Sequence, residues 1–518
     1  MVKRWSKKAT HFEWPIHAPK VALAQTYRLI AESDDMRAKT LLAILGRLED
    51  PQQSDESFKS WLTQEDIHTL LENDLIEAAQ NDAVTAIAFT VDEIAKTRRR
   101  FILWPKLLNT MQRPSRGAKR GFTTVPEYNA EMPIRNMSQF IHDLTVALEG
   151  MTNPRAITID LKAAFFQTPI PVSLRKFTVF QTDDGTKYRI KRMPMGWSMA
   201  PEIQQRLGGC LLKDLNIPFA NLHIDDYLFV TEADKLVTTA KAFLEKAAEY
   251  NITVGSYTAG TIVKSIGLMV NVVDREISLA DSFRNKLLAD EPRPTIQVGE
   301  FVQAMGRLVH GTLALDVDPA SFYYLFKQFR NISRKVGIVG WHEYRQKEIP
   351  LWSASVTQWE QWRRKILDAP ARRLVRYRGK MGALFTDASD WGFGAILIIP
   401  GRAPLLLQHS WIAVRFWKDK AYLPPINQRE LFAVVFASQW AEEQGWPPSS
   451  LKLYVDNKTA IAAIKRGYSA AFWLNEMLRI WSNTRGEDMG RARFHSVEWI
   501  PSAANIADRP SRGPLHTL

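Results

Sequence analysis

Cysteine is almost absent from this chain, which has Cys210 alone in 518 residues. One cysteine excludes intramolecular disulfides and cysteine-rich zinc knuckles or fingers, and it is typical of a reducing compartment. The chain also lacks a run of about 18 apolar residues, the length that a membrane span needs. Its basic first residues are not followed by an apolar stretch, so no secretion signal is expected. We therefore expect an intracellular protein, in the cytoplasm or the nucleus.

Tracts rich in Gly, Ser, Pro or Gln are missing too, which argues against extended disorder. Hydrophobic residues make up 46% of the chain and charged residues 24%, as in globular proteins. The length exceeds that of one compact domain, so at least two domains are expected. Lys and Arg outnumber Asp and Glu by 68 to 55, giving a net charge of +13. This basic balance suits a polyanionic partner such as nucleic acid.

The spacing of apolar residues changes along the chain. Intervals of three and four predict helices from about residue 22 to residue 79. Short apolar runs around the basic turn at residues 96–100 predict a β-hairpin, which is a candidate phosphate site. Strands and helices then interleave without a strict βαβ rhythm, so an α+β unit is favoured. Residues 280–361 are predicted mostly as helices, and a basic stretch at residues 372–380 marks a domain boundary.

Strands are predicted where β-branched and aromatic residues concentrate between turn residues. The segment containing Asp225 and Asp226 is predicted as one strand with the two acids near its middle. The predicted strands are residues 101–103, 157–160, 177–180, 187–190, 222–230, 266–270, 383–387 and 392–397.

Three acids, Asp160, Asp225 and Asp226, end or interrupt apolar strands, where burial is costly unless a cation compensates the charge. Carboxylates from two neighbouring strands can hold two divalent ions about 4 Å apart for phosphoryl transfer. Oxygen ligands suit magnesium, with manganese as the alternative. Taken alone, an Asp-Asp pair is also compatible with an exposed acidic turn.

Three segments occur in the order and approximate spacing of reverse-transcriptase motifs A, B and C. They are residues 160–167, residues 193–201 with Gln205-Arg206, and residues 223–226. Upstream, residues 67–79 and 98–109 resemble the fingers region of retroelement polymerases. The chain is therefore similar to reverse transcriptases from about Thr63 to Val272, and this implies fingers and palm subdomains followed by a thumb.

The resemblance implies a role for individual residues. Asp160 and Asp225 would be the main metal ligands, with Asp226 as an adjacent acid. Arg100 would contact the incoming triphosphate, a role that suits the bidentate guanidinium group. Phe165 would crowd a ribose 2′-hydroxyl and so favour deoxynucleotides.

Met195 and Gly196 would lie beside the nucleotide, with Gly196 allowing close backbone approach. Other interpretations stay open: a solvated charge run at residues 98–100, a core aromatic at Phe165 and a structural turn glycine at Gly196.

The chain also departs from the family pattern. His223 stands where the family usually has Tyr, and Ala163 and Trp104 stand where Asp is common. None of these departures removes a metal ligand. The lysine that often acts as general acid is not located.

Four further acids lie beyond the basic stretch: Asp387, Glu430, Asp456 and Asp508. Asp387 and Asp456 end predicted strands, and Glu430 lies near the start of a helix. One Glu and three Asp brought together would bind two magnesium ions for phosphodiester hydrolysis, although any one of them can be a surface residue or a helix cap. As a set, they resemble the ribonuclease H family, which cuts the RNA strand of RNA–DNA hybrids. His495 is more consistent with strand packing than with product release.

Residues 455–460 and 499–505 look most like retrotransposons of the tyrosine-recombinase type, the DIRS order with its VIPER-type elements. The combined resemblance implies a reverse transcriptase with ribonuclease H activity, acting on an RNA template, a DNA primer, dNTPs and RNA–DNA hybrid, with other retroelement proteins as partners. The alternatives are a domesticated or decayed element that only binds nucleic acid, and an RNA-dependent RNA polymerase. The expected domains are an N-terminal helical region (1–62), fingers and palm (63–279), a mostly helical thumb and connection (280–378) and an α/β ribonuclease H domain with a mixed sheet (379–518).

Overall fold

The computed structural model describes residues 14, 16, 21–33, 35–45, 58–93, 97–111, 130–375, 379–411, 424–484 and 494–513. Parts of the expected N-terminal region, Lys96 of the predicted basic turn (96–100) and residues 376–378 of the basic stretch lie outside these residues. The chain divides into two compact units. The first contains the residues up to Ile266 together with Val270–Asp274, and the second contains Gly267–Met269 and Arg275–Leu518.

The first unit combines helices with three sheets. Its described helices are α1 (Leu23–Ser33), α2 (Met36–Leu45), α3 (Gln64–Glu72), α4 (Lys106–Met111), α5 (Met137–Glu149), α6 (Ala164–Gln167), α7 (Val172–Arg175), α8 (Ala200–Leu212) and α9 (Leu236–Glu249). Its strands are β1 (Ile76–Ala78), β2 (Ile87–Glu93), β3 (Arg98–Trp104), β4 (Pro154–Leu161), β5 (Val179–Gln181), β6 (Lys187–Ile190), β7 (Phe219–His223), β8 (Asp226–Glu232), β9 (Val254–Gly260) and β10 (Ile262–Ser265). The strand orders are β7-β8-β4-β9, β1-β6-β5 and β2-β3.

The four-stranded sheet is antiparallel throughout and packs one face on α8 and α9. Ile157, Ile159 and Leu161 of β4 belong to the same buried cluster as Leu207 of α8 and Phe243 of α9. Because side chains alternate along a strand, residue 160 projects from the opposite face. The apolar pattern of β4 thus buries its hydrophobic side chains and leaves the carboxylate of Asp160 on the side away from the helices.

The helical pattern predicted as far as residue 79 was wrong at its end. Helix α3 begins at a capping box between Thr63 and Asp66 and ends at Glu72. Asp74 then adopts a left-handed backbone with φ of 54°, which turns the chain. Ile76 therefore lies in β1, where it pairs with Ile190.

The single strand predicted for residues 222–230 was also wrong. It is a hairpin of β7 and β8, and residues 224 and 225 form its turn. Because the acids have apolar residues on both sides, hydrophobic periodicity alone does not indicate a turn there. The predicted hairpin is confirmed, as β2 and β3 pair antiparallel from Ile87–Trp104 to Glu93–Arg98. The basic residues 98–100, which were predicted in its turn, lie in β3 instead.

The second unit begins near β11 (Leu268–Asn271), which contains the division between the units. Its described helices are α10 (Asp281–Ala289), α11 (Val298–Leu315), α12 (Tyr323–Val339), α13 (Trp341–Tyr344), α14 (Ser353–Asp368), α15 (Ile426–Glu443), α16 (Lys458–Arg466), α17 (Phe472–Thr484) and α18 (Asp508–Ser511). Its further strands are β12 (Glu276–Leu279), β13 (Thr295–Gln297), β14 (Glu348–Pro350), β15 (Arg372–Arg373), β16 (Gly382–Ala388), β17 (Gly392–Ile398), β18 (Leu405–Ser410), β19 (Leu451–Val455) and β20 (Ser496–Trp499).

The expected helical region at residues 280–361 is confirmed as α10 to α14, with short strands β13 and β14 between them. Large aromatic side chains form its core, where Phe322 stacks on Trp362 with ring centroids 4.9 Å apart. The indole N–H of Trp362 donates to the hydroxyl of Thr312 at 2.6 Å, so this buried ring keeps a hydrogen-bond partner.

A mixed five-stranded sheet, in the order β18-β17-β16-β19-β20, forms the rest of the second unit. Strand β16 pairs parallel with β19 and antiparallel with β17, and β19 pairs parallel with β20. Helix α15 packs on the sheet through Leu431 and Val434. The expected fold class, an α+β unit followed by a unit with a mixed sheet, is confirmed. Within the described residues, no helix has the length and apolar character needed to cross a membrane.

Candidate active sites

The turn between β7 and β8 has an unusual backbone. Ile224 adopts φ of 63°, a left-handed conformation that costs a β-branched residue about 1–2 kcal/mol. The N–H of Asp225 donates to the carbonyl of His223 at 2.9 Å and closes a three-residue turn. The two acids that follow Ile224 are thereby presented at the tip of the hairpin.

The side chain of Gln205 on α8 stabilises this turn. Its Oε1 accepts the N–H of Ile224 at 2.6 Å, and its Nε2 donates to the carbonyl of Leu222 at 3.2 Å. Gln205 is 3% exposed, so these backbone groups have little access to water as an alternative partner. The family motif at residues 193–206 contains Gln205, but its contact with the turn was not predicted, because residues 19 positions apart in sequence make it.

Asp160 lies beside this turn because β4 and β8 pair. The register places Asp160 opposite Asp226, and the N–H of Leu161 donates to the carbonyl of Asp225 at 3.2 Å. Asp160, Asp225 and Asp226 each offer a carboxylate oxygen within 4.8 Å of the other two. We call these residues the first acidic cluster.

The proximity of these charges has an electrostatic cost. Burial and the negative charges of Asp225 and Asp226 raise the pKa of Asp160 to about 7. Burial and the charge of Asp226 raise the pKa of Asp225 as well. The guanidinium of Arg98 opposes both shifts. A divalent cation would relieve the repulsion, and three carboxylates are a suitable ligand set for it.

The expected nucleotide contacts lie in the same unit. Phe165, in α6, is partly buried and packs on the apolar core formed with Phe166 and Phe101, as does Met195. Arg100 forms an ion pair with Glu93, with 3.1 Å between Arg100 Nε and Glu93 Oε1. Roles for these residues at a nucleotide stay predictions.

Gly196 has a structural reason to be glycine. A Cβ atom there would lie 2.4 Å from the carbonyl oxygen of Leu103 and 2.8 Å from the Cα of Trp104. The N–H of Gly196 donates to that same carbonyl at 3.1 Å, and the side-chain amide of Asn109 donates to the carbonyl of Gly196. The close approach is thus to β3, which accounts for this glycine without a nucleotide.

A second group of acids lies where the inner strands β16 and β19 of the five-stranded sheet end. Asp387 is near the end of β16, Asp456 follows β19, and Glu430 lies in the second turn of α15. Asn457 caps α16 by accepting hydrogen bonds from the N–H groups of Thr459 and Ala460. Strand β19 therefore ends at Val455, shortly before this cap. Asp387, Glu430 and Asp456 offer carboxylate oxygens within 4.8 Å of one another.

The fourth expected acid, Asp508, begins α18 and does not belong to that close group. Its carboxylate binds the guanidinium of Arg512 at 2.6–2.9 Å. It still lies near enough to Asp387 for its charge to contribute to the raised pKa of that group. We call Asp387, Glu430, Asp456 and Asp508 the second acidic cluster.

Two contacts attach α18 to the sheet. A Cβ atom at Gly394 would lie 2.7 Å from the backbone nitrogen of Ser511, so the absence of a side chain allows the approach. The Ser511 hydroxyl shares its one proton between two acceptors, the carboxylate of Asp387 and, at 2.8 Å, the carbonyl of Asp508. Helix α18 is thereby connected to the acid near the end of β16.

Asn505 makes a further connection between the acids. It is 4% exposed, its side-chain N–H donates to the carbonyl of Thr386 at 2.9 Å, and its Oδ1 accepts the N–H of Ala507 at 3.2 Å. Each of these backbone groups belongs to the residue before an acid, Asp387 in one case and Asp508 in the other. Nothing in the spacing of residues along the sequence indicated this role.

Burial strongly affects the second acidic cluster. It raises the pKa of Glu430 to about 9, and the charges of Asp387 and Asp456 add to the effect. Burial is also the main cause that raises the pKa of Asp387 to about 6. The Oε2 of Glu430 is buried and has no hydrogen-bond partner. An unpaired buried carboxylate oxygen beside two further carboxylates is the environment expected of a cation site.

His495, considered above as a packing residue, directly precedes β20. Its backbone N–H donates to the carbonyl of Leu451 at 2.9 Å, which extends the pairing between β19 and β20. The side chain of His495 is exposed, so the packing interpretation stays a prediction.

Three solved structures resemble the chain at low sequence identity. The foamy viral protease-reverse transcriptase in complex with RNA/DNA hybrid is 14% identical, with a TM-score of 0.48 over 97% of this chain and 66% of that one. The same protein in complex with dsDNA is 15% identical, with a TM-score of 0.48 over 95% of this chain and 99% of that one. Its dRH form in complex with ds DNA is 15% identical, with a TM-score of 0.47 over 96% and 84% of the two chains.

No curated protein sequence matches the chain. Residues 106–256 match the family model described as reverse transcriptase (RNA-dependent DNA polymerase). The matched segment includes all three residues of the first acidic cluster. Residues 106–256 therefore carry a reverse transcriptase domain.

Proposed function

We propose that the chain is a bifunctional enzyme. At the first acidic cluster it copies RNA and DNA templates into DNA, and at the second it cleaves the RNA strand of RNA–DNA hybrids. Two separate clusters of acidic side chains carry this proposal. In each cluster, the carboxylate oxygens of three residues lie within 4.8 Å of one another. In the first cluster, strand pairing brings Asp160 to the adjacent Asp225 and Asp226, and in the second, β16, β19 and a helix that packs on the sheet bring distant acids together.

Each cluster would hold two divalent ions, magnesium or alternatively manganese, since an all-oxygen ligand set suits both. Asp160, Asp225 and Asp226 would be the ligands in the first cluster, and all four acids of the second would share that role there. Such ions would lower the pKa of an attacking hydroxyl or water and neutralise charge on the leaving oxygen. The positions of these partly buried carboxylates determine where the divalent ions would lie.

The remaining proposed contacts concern substrate choice. Phe165 would exclude a ribose 2′-hydroxyl, Met195 and Gly196 would border the nucleotide, and Arg100 would bind its triphosphate. The partners would be an RNA template, a DNA primer, dNTPs and RNA–DNA hybrid, together with other retroelement proteins. The +13 net charge supports a polyanionic partner.

Residues 455–460 and 499–505 support an origin in a retrotransposon of the tyrosine-recombinase type. In this proposal residues 63–279 form fingers and palm, 280–378 form thumb and connection, and 379–518 form the ribonuclease H domain. The enzyme would act inside the cell.

A primed RNA template with dNTPs and Mg²⁺ tests the polymerase activity. The wild-type chain should extend the primer, and Asp225→Asn should reduce the rate at least ~100-fold, because a metal ligand loses its charge. Asp183→Asn is a matched control, since it removes a carboxylate from an exposed turn of the same unit. Unchanged extension by Asp225→Asn would refute the assignment of this site.

A labelled RNA strand in an RNA–DNA hybrid tests the nuclease activity. Glu430→Gln should abolish cleavage, whereas Glu443→Gln, an exposed position on the same helix, should leave it intact. Replacing dNTPs with rNTPs in the extension assay separates a DNA polymerase from an RNA polymerase. Salt-sensitive RNA binding with neither extension nor cleavage would select a nucleic-acid-binding protein without catalysis.

A further inference from the structure

Glu93 binds two arginines at once on the β2–β3 hairpin. It ends β2 directly opposite Arg98, the first residue of β3. Its Oε2 accepts the Nε–H of Arg98 at 2.5 Å, and its Oε1 lies 3.1 Å from Nε of Arg100. Both oxygens of one carboxylate are therefore engaged by guanidinium groups, and we call this arrangement the Glu93 clamp.

The clamp occupies the more accessible face of the hairpin. Arg99, between the two clamped arginines, points to the other face, is 5% exposed and binds Asp66 and Asp92. Arg98, Arg100 and Glu93 have side-chain exposures of 25%, 31% and 29%. Arg99 therefore contributes to the fold of the hairpin, while the side chains of Arg98 and Arg100 remain partly accessible to solvent.

Arg98 and Arg100 lie in the same compact unit as the first acidic cluster. Because Arg98 and Arg100 are two positions apart on one strand, they share the same face of the hairpin. The face that carries the Glu93 clamp therefore presents two guanidinium groups side by side.

Carboxylate and phosphate oxygens both accept charge-assisted hydrogen bonds from guanidinium groups, so either anion can occupy the same donors. Guanidiniums prefer bidentate phosphate contacts, and a nucleotide triphosphate bears more negative charge than one carboxylate. A triphosphate beside Arg98 and Arg100 would also repel Glu93, so the two anions compete for the same donors.

We propose that Glu93 is an internal counter-ion for a pair of phosphate-binding arginines, Arg98 and Arg100, and that the triphosphate of the incoming nucleotide displaces it. Arg98 is then a second triphosphate contact beside Arg100, and Glu93 sets how tightly the nucleotide binds. This inference rests on the proposed polymerase function and adds a determinant of nucleotide affinity to it.

Steady-state primer extension by the full chain, with dNTP concentration varied, measures the effect. Glu93→Gln should lower the KM for dNTP about 3- to 10-fold with little change in kcat, since about 1 kcal/mol of competing ion pairing is removed. Arg98→Gln should raise that KM about 10-fold through loss of a charged phosphate contact. A KM for Glu93→Gln that is unchanged or higher would overturn the proposal.

Glu77→Gln is the matched control. Glu77 also binds two arginines in the same unit, with its Oε1 at 3.0 Å from Arg175 Nη1 and 2.8 Å from Arg189 Nε. It tests whether loss of any carboxylate between two arginines changes nucleotide affinity. The KM for dNTP should stay as in wild type, and a decrease equal to that of Glu93→Gln would overturn the proposal.

A binding measurement separates this inference from the polymerase proposal. Inorganic tripolyphosphate, titrated calorimetrically without divalent metal, should bind Glu93→Gln more tightly than wild type and Arg98→Gln more weakly. Equal affinities for all three proteins would refute the proposed competition between Glu93 and the triphosphate, even if wild type extends primers. If wild type extends no primer but Glu93→Gln still binds tripolyphosphate more tightly, the polymerase proposal is refuted. The proposed competition between Glu93 and phosphate is then supported.

Discussion

Gln205 holds Ile224 in a left-handed backbone conformation, through a 2.6 Å hydrogen bond from the Ile224 N–H to the Gln205 side chain. A β-branched residue adopts this conformation only when its surroundings stabilise it. Gln205 supplies that stabilisation from inside α8, and the result is the presentation of Asp225 at the tip of the hairpin.

Gln205→Leu should therefore reduce primer extension. The change keeps the side-chain volume but leaves the N–H of Ile224 and the carbonyl of Leu222 unpaired, and the turn then moves. We expect kcat to fall about 10- to 100-fold, because displacements of about 1 Å have effects of this size. Gln204→Leu is the control, since the Oε1 of that buried neighbour has no hydrogen-bond partner. Equal effects of the two changes would contradict the role given to Gln205.

Gly196→Ala should destabilise the first unit. The new Cβ would meet the backbone of β3 at 2.4 Å, and backbone cannot move aside as a flexible side chain does. Overpacking of this kind costs about 1–3 kcal/mol, measurable as a lower free energy of unfolding in urea. Gly209→Ala in the exposed face of α8 meets nothing within 4 Å and should stabilise the same unit by about 0.5–1 kcal/mol. Equal stability of the two variants would contradict this account.

Glu430→Gln should remove nuclease activity and stabilise the metal-free protein. The pKa of Glu430 is raised from 4.5 to about 9, so the folded state holds this proton in the pH range where the unfolded state has lost it. The free energy of unfolding then falls as the pH rises from about 4.5 to about 9.

Calorimetric unfolding of the second unit with a chelator present checks this expectation. Glu430→Gln should have a higher Tm than wild type at pH 8, and the difference should shrink at pH 5. Magnesium should raise the Tm of wild type more than that of the variant, because bound metal stabilises the folded state. Glu443→Gln should follow wild type throughout, and a lower Tm for Glu430→Gln at pH 8 would be evidence against the raised pKa of Glu430.

Asn505→Ala should lower hybrid cleavage without changing primer extension. The substitution leaves the carbonyl of Thr386 and the N–H of Ala507 unpaired, at a cost of about 1–3 kcal/mol for a buried polar group. Loss of this bridge lets Asp387 and Asp508 shift independently, so we expect cleavage to fall at least ~10-fold. Asn483→Ala, at an exposed position of α17, should leave cleavage unchanged. Full cleavage by Asn505→Ala would show that the bridge does not position the acids.

The sequence predicted best those elements whose pattern is local. The strand that ends near Asp160 and the hairpin from residue 87 to residue 104 follow from β-branched residues, alternation and a basic turn, and the structure contains both. The mixed sheet and the helices at residues 280–361 were predicted on the same kind of signal together with the family resemblance.

Contacts between distant residues account for what was missed. The segment around Asp225 has continuous strand character, and its turn depends on Gln205, which lies on another element. The left-handed Asp74 redirected Ile76 from a helix to a strand. The Glu93 clamp and the bridge made by Asn505 depend on cross-strand register and on chain folding, which single-sequence patterns do not contain.

The contact between Gly196 and β3 has a consequence for the variation that relatives of this chain can tolerate. Asn109 binds both the carbonyl of Gly196 and the N–H of Ser198, and Gly196 itself binds the carbonyl of Leu103. Strand β3, which carries Arg98 and Arg100, is thereby hydrogen-bonded to the segment that precedes α8. Helix α8 in turn carries Gln205. Substitutions at positions 109, 196 and 198 should therefore be accepted together or not at all, so these positions should covary across homologous chains while their solvent-facing neighbours change freely.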